Sequence, residues 1–224
     1  MFEKMRERWT TAIQPLVVRM GGLDPSVLTW ASLVLAIASF YLLSQANNNS
    51  SGAMWILGGV VLILIAGVLD ALDGALARHQ GTDGPYGDFL DHTIDRVVDV
   101  GLLVAIGMNA NFVDDYSTGL LAGLLTLFGS YMGTQAQSVG LGRIYGGFSR
   151  ADRMVLTIIA LLMVSWQAHT GTAGISVDSL HWVMEVFNLG NSELNGMTFA
   201  LAISAWGGVY TFLVRFLKTR AQLL

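Results

Sequence analysis

Apolar runs of about twenty residues, the length that crosses a bilayer core, alternate along this chain with short polar breaks. The first runs from Pro25 to Gln45 and opens on the helix-start signal Asp24-Pro25-Ser26. The polar turn Asn47–Gly52 separates it from a second run over Ala53 to His79. A Gly- and Asp-bearing loop reaching Pro85 leads to a third over Gly87 to Asn109, and a short loop from Asn111 to Ser117 leads to a fourth over Thr118 to Val139. The glycine-rich connection Gly140–Ser149 precedes a fifth over Ala151 to Trp166. A longer polar segment, holding a short apolar piece at His181 to Phe187, precedes the last run, Met197 to Leu217. Ahead of all of these, Phe2, Met5, Trp9, Ile13, Leu16 and Met20 recur every three or four residues, with Lys4, Arg6, Glu7, Arg8 and Gln14 between them. That spacing fits an amphipathic helix lying in the membrane interface, with Trp9 suited to headgroup depth. The pattern predicts an all-α integral membrane protein: an interfacial helix over residues 1–22, then six transmembrane helices over residues 23–224.

Composition supports the same class. Hydrophobic residues make up 53% of the 224 and charged residues only 12%, against about 25% in an ordinary soluble domain. A soluble helical core would need more polar helix faces than this. Glu3, Glu7, Pro15 and Arg19 interrupt the pattern of a secretory signal. There is no cysteine, which excludes disulfides and thiolate metal sites. The net charge of −4 gives no reason to expect nucleic acid as a partner.

The basic residues orient the spans. Lys4, Arg6, Arg8 and Arg19 precede the first, Arg78 lies at the end of the second, and Arg96 lies within the third. Arg143, Arg150 and Arg153 lie between the fourth and fifth, and Arg215, Lys218 and Arg220 end the chain. These are all twelve, and the loops after spans one, three and five hold none. Lys and Arg mark the cytoplasmic side, so both termini are expected there. No internal repeat is visible, unlike many transporters.

One stretch breaks the apolar pattern. Residues 70–95, DALDGALARHQGTDGPYGDFLD followed by HTID, contain six aspartates. Asp70 and Asp73 are three apart and share a helix face, and Asp88, Asp91, Asp95 and Asp99 form a ladder down another. Asp70 stands nine residues before the end of its span, about 13 Å along a helix. Asp91 and Asp95 stand four and eight residues into theirs, so the carboxylates reach similar depths. Each ionised Asp in a span costs roughly 2.5–3.5 kcal/mol, and neighbouring like charges add to that. Arg78 and Arg96 offset part of the cost. Divalent cations offset it better, because carboxylate oxygens are the ligands Mg2+ prefers, and Mg2+ also binds substrate phosphates. Gly74 and Gly87 leave backbone bare beside the acids. Asp83 falls in the loop and Asp88 at the helix entrance, where neither needs a metal to explain it.

The spacing Asp70-x2-Asp73-Gly74-x2-Ala77-Arg78-x8-Gly87-x3-Asp91-x3-Asp95 resembles the signature of the CDP-alcohol phosphotransferases at every fixed position. These membrane enzymes transfer a phosphatidyl or archaetidyl group from a CDP-linked lipid to an alcohol and release CMP. The resemblance implies that Asp70, Asp73, Asp91 and Asp95 hold Mg2+ or Mn2+ against the diphosphate. It implies that Asp95 is the general base for the attacking hydroxyl, and that Gly74, Ala77, Arg78 and Gly87 line the CDP-lipid site. Family members carry Pro-Asn-x-x-Thr near the nucleotide; here it reads Pro25-Ser26-Val27-Leu28-Thr29, which puts Ser26 in place of Asn beside Thr29. The family is usually homodimeric.

The wording Leu90-Asp91-His92-Thr93-Ile94-Asp95-Arg96, followed by Asp99, is similar to the inositol-phosphate branch, as are Ser130-Tyr131 and Arg150-Ala151-Asp152-Arg153. That likeness implies a phosphorylated alcohol as acceptor, inositol phosphate favoured, contacted by Ser130 and Arg153. Arg143 and Arg150 join them in the cytoplasmic cluster, since guanidinium forks suit phosphate oxygens. Where the branch carries basic residues after Ser-Tyr, this chain has Gly133 and Gln135. Glycerol 3-phosphate and serine remain alternatives. An ion-coupled transporter and an intramembrane prenyltransferase are the rival classes, and neither carries this single acid-glycine-arginine block.

Overall fold

The computed structural model describes residues 13–142, 144–172, 174–176 and 193–224. Six helices dominate: α1 (Pro25–Gln45), α2 (Ser50–Gln80), α3 (Pro85–Gly107), α4 (Ser117–Ser138), α5 (Arg150–Thr170) and α6 (Gly196–Leu223). Two-residue strands, β1 (Ile175–Ser176) and β2 (Glu193–Leu194), pair antiparallel between α5 and α6. The expected apolar piece at His181–Phe187, the first twelve residues and Arg143 lie outside the described residues.

Helices α1, α2, α5 and α6 are long and apolar enough to cross a bilayer. At 23 and 22 residues, α3 and α4 have a similar length, but α3 carries the aspartate ladder and α4 is rich in Gly, Ser and Thr. The helix ends follow local chemistry. Asp24 accepts hydrogen bonds from the Ser26 amide and hydroxyl at 2.9 and 2.6 Å, which hold its carboxyl below the usual range. Ser149 and Asp152 form a reciprocal capping box at the start of α5, and Asn195 with Thr198 does the same for α6. Gly171, at φ 68°, caps α5 in the left-handed region, so the helix runs to Thr170, four residues beyond the expected limit at Trp166.

The chain divides into two compact units. The first comprises Met1–Ala38 and Val61–Val98. Its apolar core joins Ile13 and Val17 to Leu28 of α1 and to Leu72 and Leu76 of α2. Residues 13–19 are helical, but Leu16, expected on the apolar stripe, is 45% exposed, and Val17 takes the buried position. The Gln80 side-chain amide donates to the carbonyls of Gly21 and Leu23 at 3.1 and 2.8 Å, tying the end of α2 to the turn before α1.

The second unit comprises Ser39–Val60 and Asp99–Leu224. Polar side chains staple its helix ends: buried Asn109 donates to the carbonyls of Leu43 and Ala46 at 2.6 and 3.0 Å. The Ser165 hydroxyl donates to Ala53 O at 2.9 Å. Between α4 and α6 the packing runs through glycines. A Cβ on Gly208 would stand 2.6 Å from the Leu125 carbonyl carbon and 2.8 Å from the Thr126 nitrogen. Both neighbours are backbone, so neither gives way. Small residues of this kind let membrane helices approach closely.

Gly208→Ala is therefore expected to lower stability by about 1–3 kcal/mol, the range for overpacking, seen as a fall in thermal midpoint of the detergent-solubilised protein. Gly67→Ala is the control, because a Cβ there meets nothing within 4 Å. It should leave the midpoint unchanged or slightly raised.

Candidate active site

The four motif acids all belong to the first unit, on α2 and α3. Asp73 and Asp95 are buried, at 6% and 8% exposure, while Asp70 and Asp91 are half-buried. Asp73 Oδ2 accepts a hydrogen bond from the Thr29 hydroxyl at 2.5 Å. This brings the first-span threonine, expected near the nucleotide, directly onto a motif carboxylate. Asp95 Oδ2 lies 3.5 Å from the guanidinium of Arg96. Asp91 Oδ2 lies 3.3 Å from His92 Nδ1. Asp88, exposed in the first turn of α3, suits the positive end of the helix dipole.

One ligand atom from each of Asp91, His92 and Asp95 comes within 4.8 Å of the others. Carboxylate oxygens on successive turns of one helix, with further carboxylates on α2 of the same unit, are a donor set that suits a hard divalent cation. The residues thus fit the metal that the motif implies. His92 was not among the expected site residues; its only sequence signal is adjacency to Asp91.

The bare helix faces differ from one another. Above Gly74 the guanidinium of Arg78 folds back, its Nη1 3.2 Å from where a Cβ would be. The space expected to admit ligand at Gly74 is thus covered by an exposed, flexible arginine. A Cβ on Gly87 would meet nothing within 4 Å. Ala77 is half-buried, and its carbonyl accepts from the Thr82 amide at 3.0 Å. The Ser26 hydroxyl is occupied in donating to Asp24, which caps the start of α1.

The expected acceptor residues belong to the second unit. Arg150 Nε donates to Asp99 Oδ1 at 3.2 Å, and Arg153 Nη2 donates to Asp99 Oδ2 at 2.5 Å. Arg153 and Asp99 are buried, at 6% and 2%. In sequence Asp99 is only the last rung of the aspartate ladder; its partners stand 51 and 54 positions away. Ser130 is half-buried on α4. Nearby on that helix, the Arg215 guanidinium from α6 donates to Gly129 O at 2.9 Å and lies 3.1 Å from where a Gly133 Cβ would stand. A cation from the last helix therefore fills the space beside Gly133.

The family model for CDP-alcohol phosphatidyltransferases matches residues 23–187. The chain belongs to this family. It is a multi-pass membrane transferase of phospholipid synthesis, which sets aside the transporter and prenyltransferase alternatives. The archaetidylinositol phosphate synthase of Pyrococcus horikoshii is 36% identical over 146 residues, 63% of this chain and 70% of the relative. The crystal structure of the Mycobacterium tuberculosis phosphatidylinositol phosphate synthase with CDP-DAG bound has the same fold. Its TM-score is 0.64 at 22% identity, over 95% of this chain and 94% of that one. The same enzyme in complex with manganese and citrate matches at TM-score 0.64 and 19% identity, over 94% and 88%. Divalent metals such as Mg2+ and Mn2+ serve this family.

The Thr29–Asp73 contact makes a prediction about the protein alone. Thr29→Val leaves a buried carboxylate oxygen without its hydroxyl, which costs about 1–3 kcal/mol. The thermal midpoint in EDTA should fall for Thr29→Val and hold for Thr29→Ser.

Proposed function

We propose that this protein transfers a phosphatidyl or archaetidyl group from a CDP-linked lipid to a phosphorylated alcohol, inositol phosphate favoured, and releases CMP. The observation that carries the reading is the gathering of Asp70, Asp73, Asp91 and Asp95 on α2 and α3 of one unit, with Asp91 and Asp95 within coordinating reach of each other. The inositol phosphate preference draws on the inositol-specific naming of the relatives and on the clustered arginines of the second unit.

In this reading Asp70, Asp73, Asp91 and Asp95 hold Mg2+ or Mn2+. The metal, when bound, neutralises the diphosphate and stabilises the departing CMP. Asp95 takes the proton of the acceptor hydroxyl as its oxygen attacks the lipid-bearing phosphorus. The bond from that phosphorus to the bridging oxygen breaks, and the oxygen leaves with CMP. Thr29 orients Asp73. Ser26, Gly74, Ala77, Arg78 and Gly87 line the CDP-lipid site, and Arg78, which folds over Gly74, swings to the nucleotide phosphates. Ser130, Arg143, Arg150 and Arg153 face the acceptor, with Arg215 supplying the positive charge beside Gly133.

The proposed setting is a cytoplasmic membrane, with six spans α1–α6 making one catalytic domain over residues 23–224. An N-terminal interfacial helix that ends at Arg19 precedes them, both termini and the active site face the cytoplasm, and two copies form a homodimer. The charge pattern of the loops supports the orientation.

Release of CMP from a CDP-linked lipid, measured with a panel of alcohols in the presence and absence of EDTA, tests the whole reading. Inositol phosphate should drive release, and EDTA should abolish it. A response to glycerol 3-phosphate alone would move the acceptor assignment, and a response to serine or free inositol alone would refute a phosphorylated acceptor. Asp95→Asn should reduce turnover by at least about 10²-fold, the lower range for a general base, while CDP-lipid binding survives. Near-normal turnover by the purified variant would remove Asp95 from that role.

A further inference from the structure

Asp99 is buried in a helix of a membrane protein and meets two arginines with its two oxygens. None of the motif positions includes it. Taken alone, the trio of Asp99, Arg150 and Arg153 bears one formal positive charge. A buried ion cluster of this kind is weak evidence for stability, since well-packed apolar residues generally fold as well or better. Ionisable groups at membrane depth point instead to function.

The geometry has a specific use. An arginine side chain has several rotatable bonds, and bidentate recognition of a phosphate needs the planar fork held in one orientation. Asp99 grips Arg150 through Nε and Arg153 through Nη2. It therefore fixes both forks from one point, at the first turn of α5, where the Ser149–Asp152 capping box already sets the backbone. Asp99 also lies four residues beyond Asp95 on the same α3, about 6 Å along the axis.

We propose that Asp99 is a positioning residue for the acceptor: it orients Arg150 and Arg153 toward the phosphate of the incoming alcohol. The proposal rests on the phosphorylated-acceptor reading above. Asp99→Asn loses the charge that gathers the two guanidiniums, and Asp99→Glu keeps the charge but displaces it by one methylene.

The test uses the full-length enzyme in detergent with a CDP-linked lipid, and starts with the wild type on inositol phosphate, glycerol 3-phosphate and their dephosphorylated counterparts. If only the neutral alcohols react, the acceptor reading fails, and this proposal fails with it. Given a phosphorylated substrate, Asp99→Asn should raise its KM by about tenfold or more, the scale of a lost charge-assisted contact. KM for the CDP-lipid should stay within about twofold, and Asp99→Glu should recover part of the loss. Adding Arg153→Gln to Asp99→Asn should cost less than the two separate effects combined, as for groups acting as one unit. Equal losses toward both substrates, or additive effects, would show a purely structural role and overturn the proposal while leaving the acceptor reading intact. If Asp99→Asn does not yield folded protein, Asp99→Glu carries the same KM split, and its absence overturns the proposal equally.

Discussion

A carboxylate withdrawn from water into an apolar helix bundle must be compensated, and the way each aspartate here is compensated separates the parts of the site. Asp73 is met by a neutral hydroxyl, Asp91 by an imidazole, and Asp95 by the neighbouring Arg96 at 3.5 Å. Asp99 is met by two guanidiniums, one of them at 2.5 Å. Four carboxylates on α2 and α3 of one unit are a donor set that favours a divalent cation. The two guanidiniums at Asp99 reverse the local sign. One run of acids along α3 therefore changes from a cation-attracting face to the anchor of an anion-attracting one.

Holding such groups in place requires helices that do not drift. Lipid tails are as apolar as leucine, so hydrophobicity alone does little to pin one span to another. In the second unit the pinning comes from close backbone approach and from polar staples. Gly208 lies against the backbone of Leu125 and Thr126, and Asn109 satisfies the carbonyls of Leu43 and Ala46 at a helix end. In the first unit Gln80 and the Ile13–Val17 face close the end of α2 against the turn before α1.

Much of this was legible in the sequence. The limits of α1 coincide with the expected run because Asp24-Pro25 and Asn47 are sharp polar signals on either side. The expected ends of α5 and α6 fall short because Gln167 to Thr170 and Lys218 to Leu223 are mostly polar or charged yet remain helical. A hydropathy boundary marks where the apolar face stops, and the backbone stops only at a cap such as Gly171. The aspartate motif was legible because it is local, with its spacing written into two neighbouring helices. The partners of Asp99 were not, since they lie 51 and 54 residues away and only folding brings them together. The same holds for Arg215, whose arrival beside Gly133 spans more than eighty positions of chain.

The recurrence of Asp91, Asp95 and Asp99 at four-residue intervals sets a rule for how this protein can change. Each residue of a helix turns the next by about 100°. One residue inserted or removed between Asp95 and Asp99 would swing the arginine anchor about a quarter turn away from the line of the other two. Substitutions at exposed positions of α3, such as Phe89 or Val97, leave that line untouched. The geometry of this stretch is thus set by its length, since the helix turn fixes where each carboxylate points.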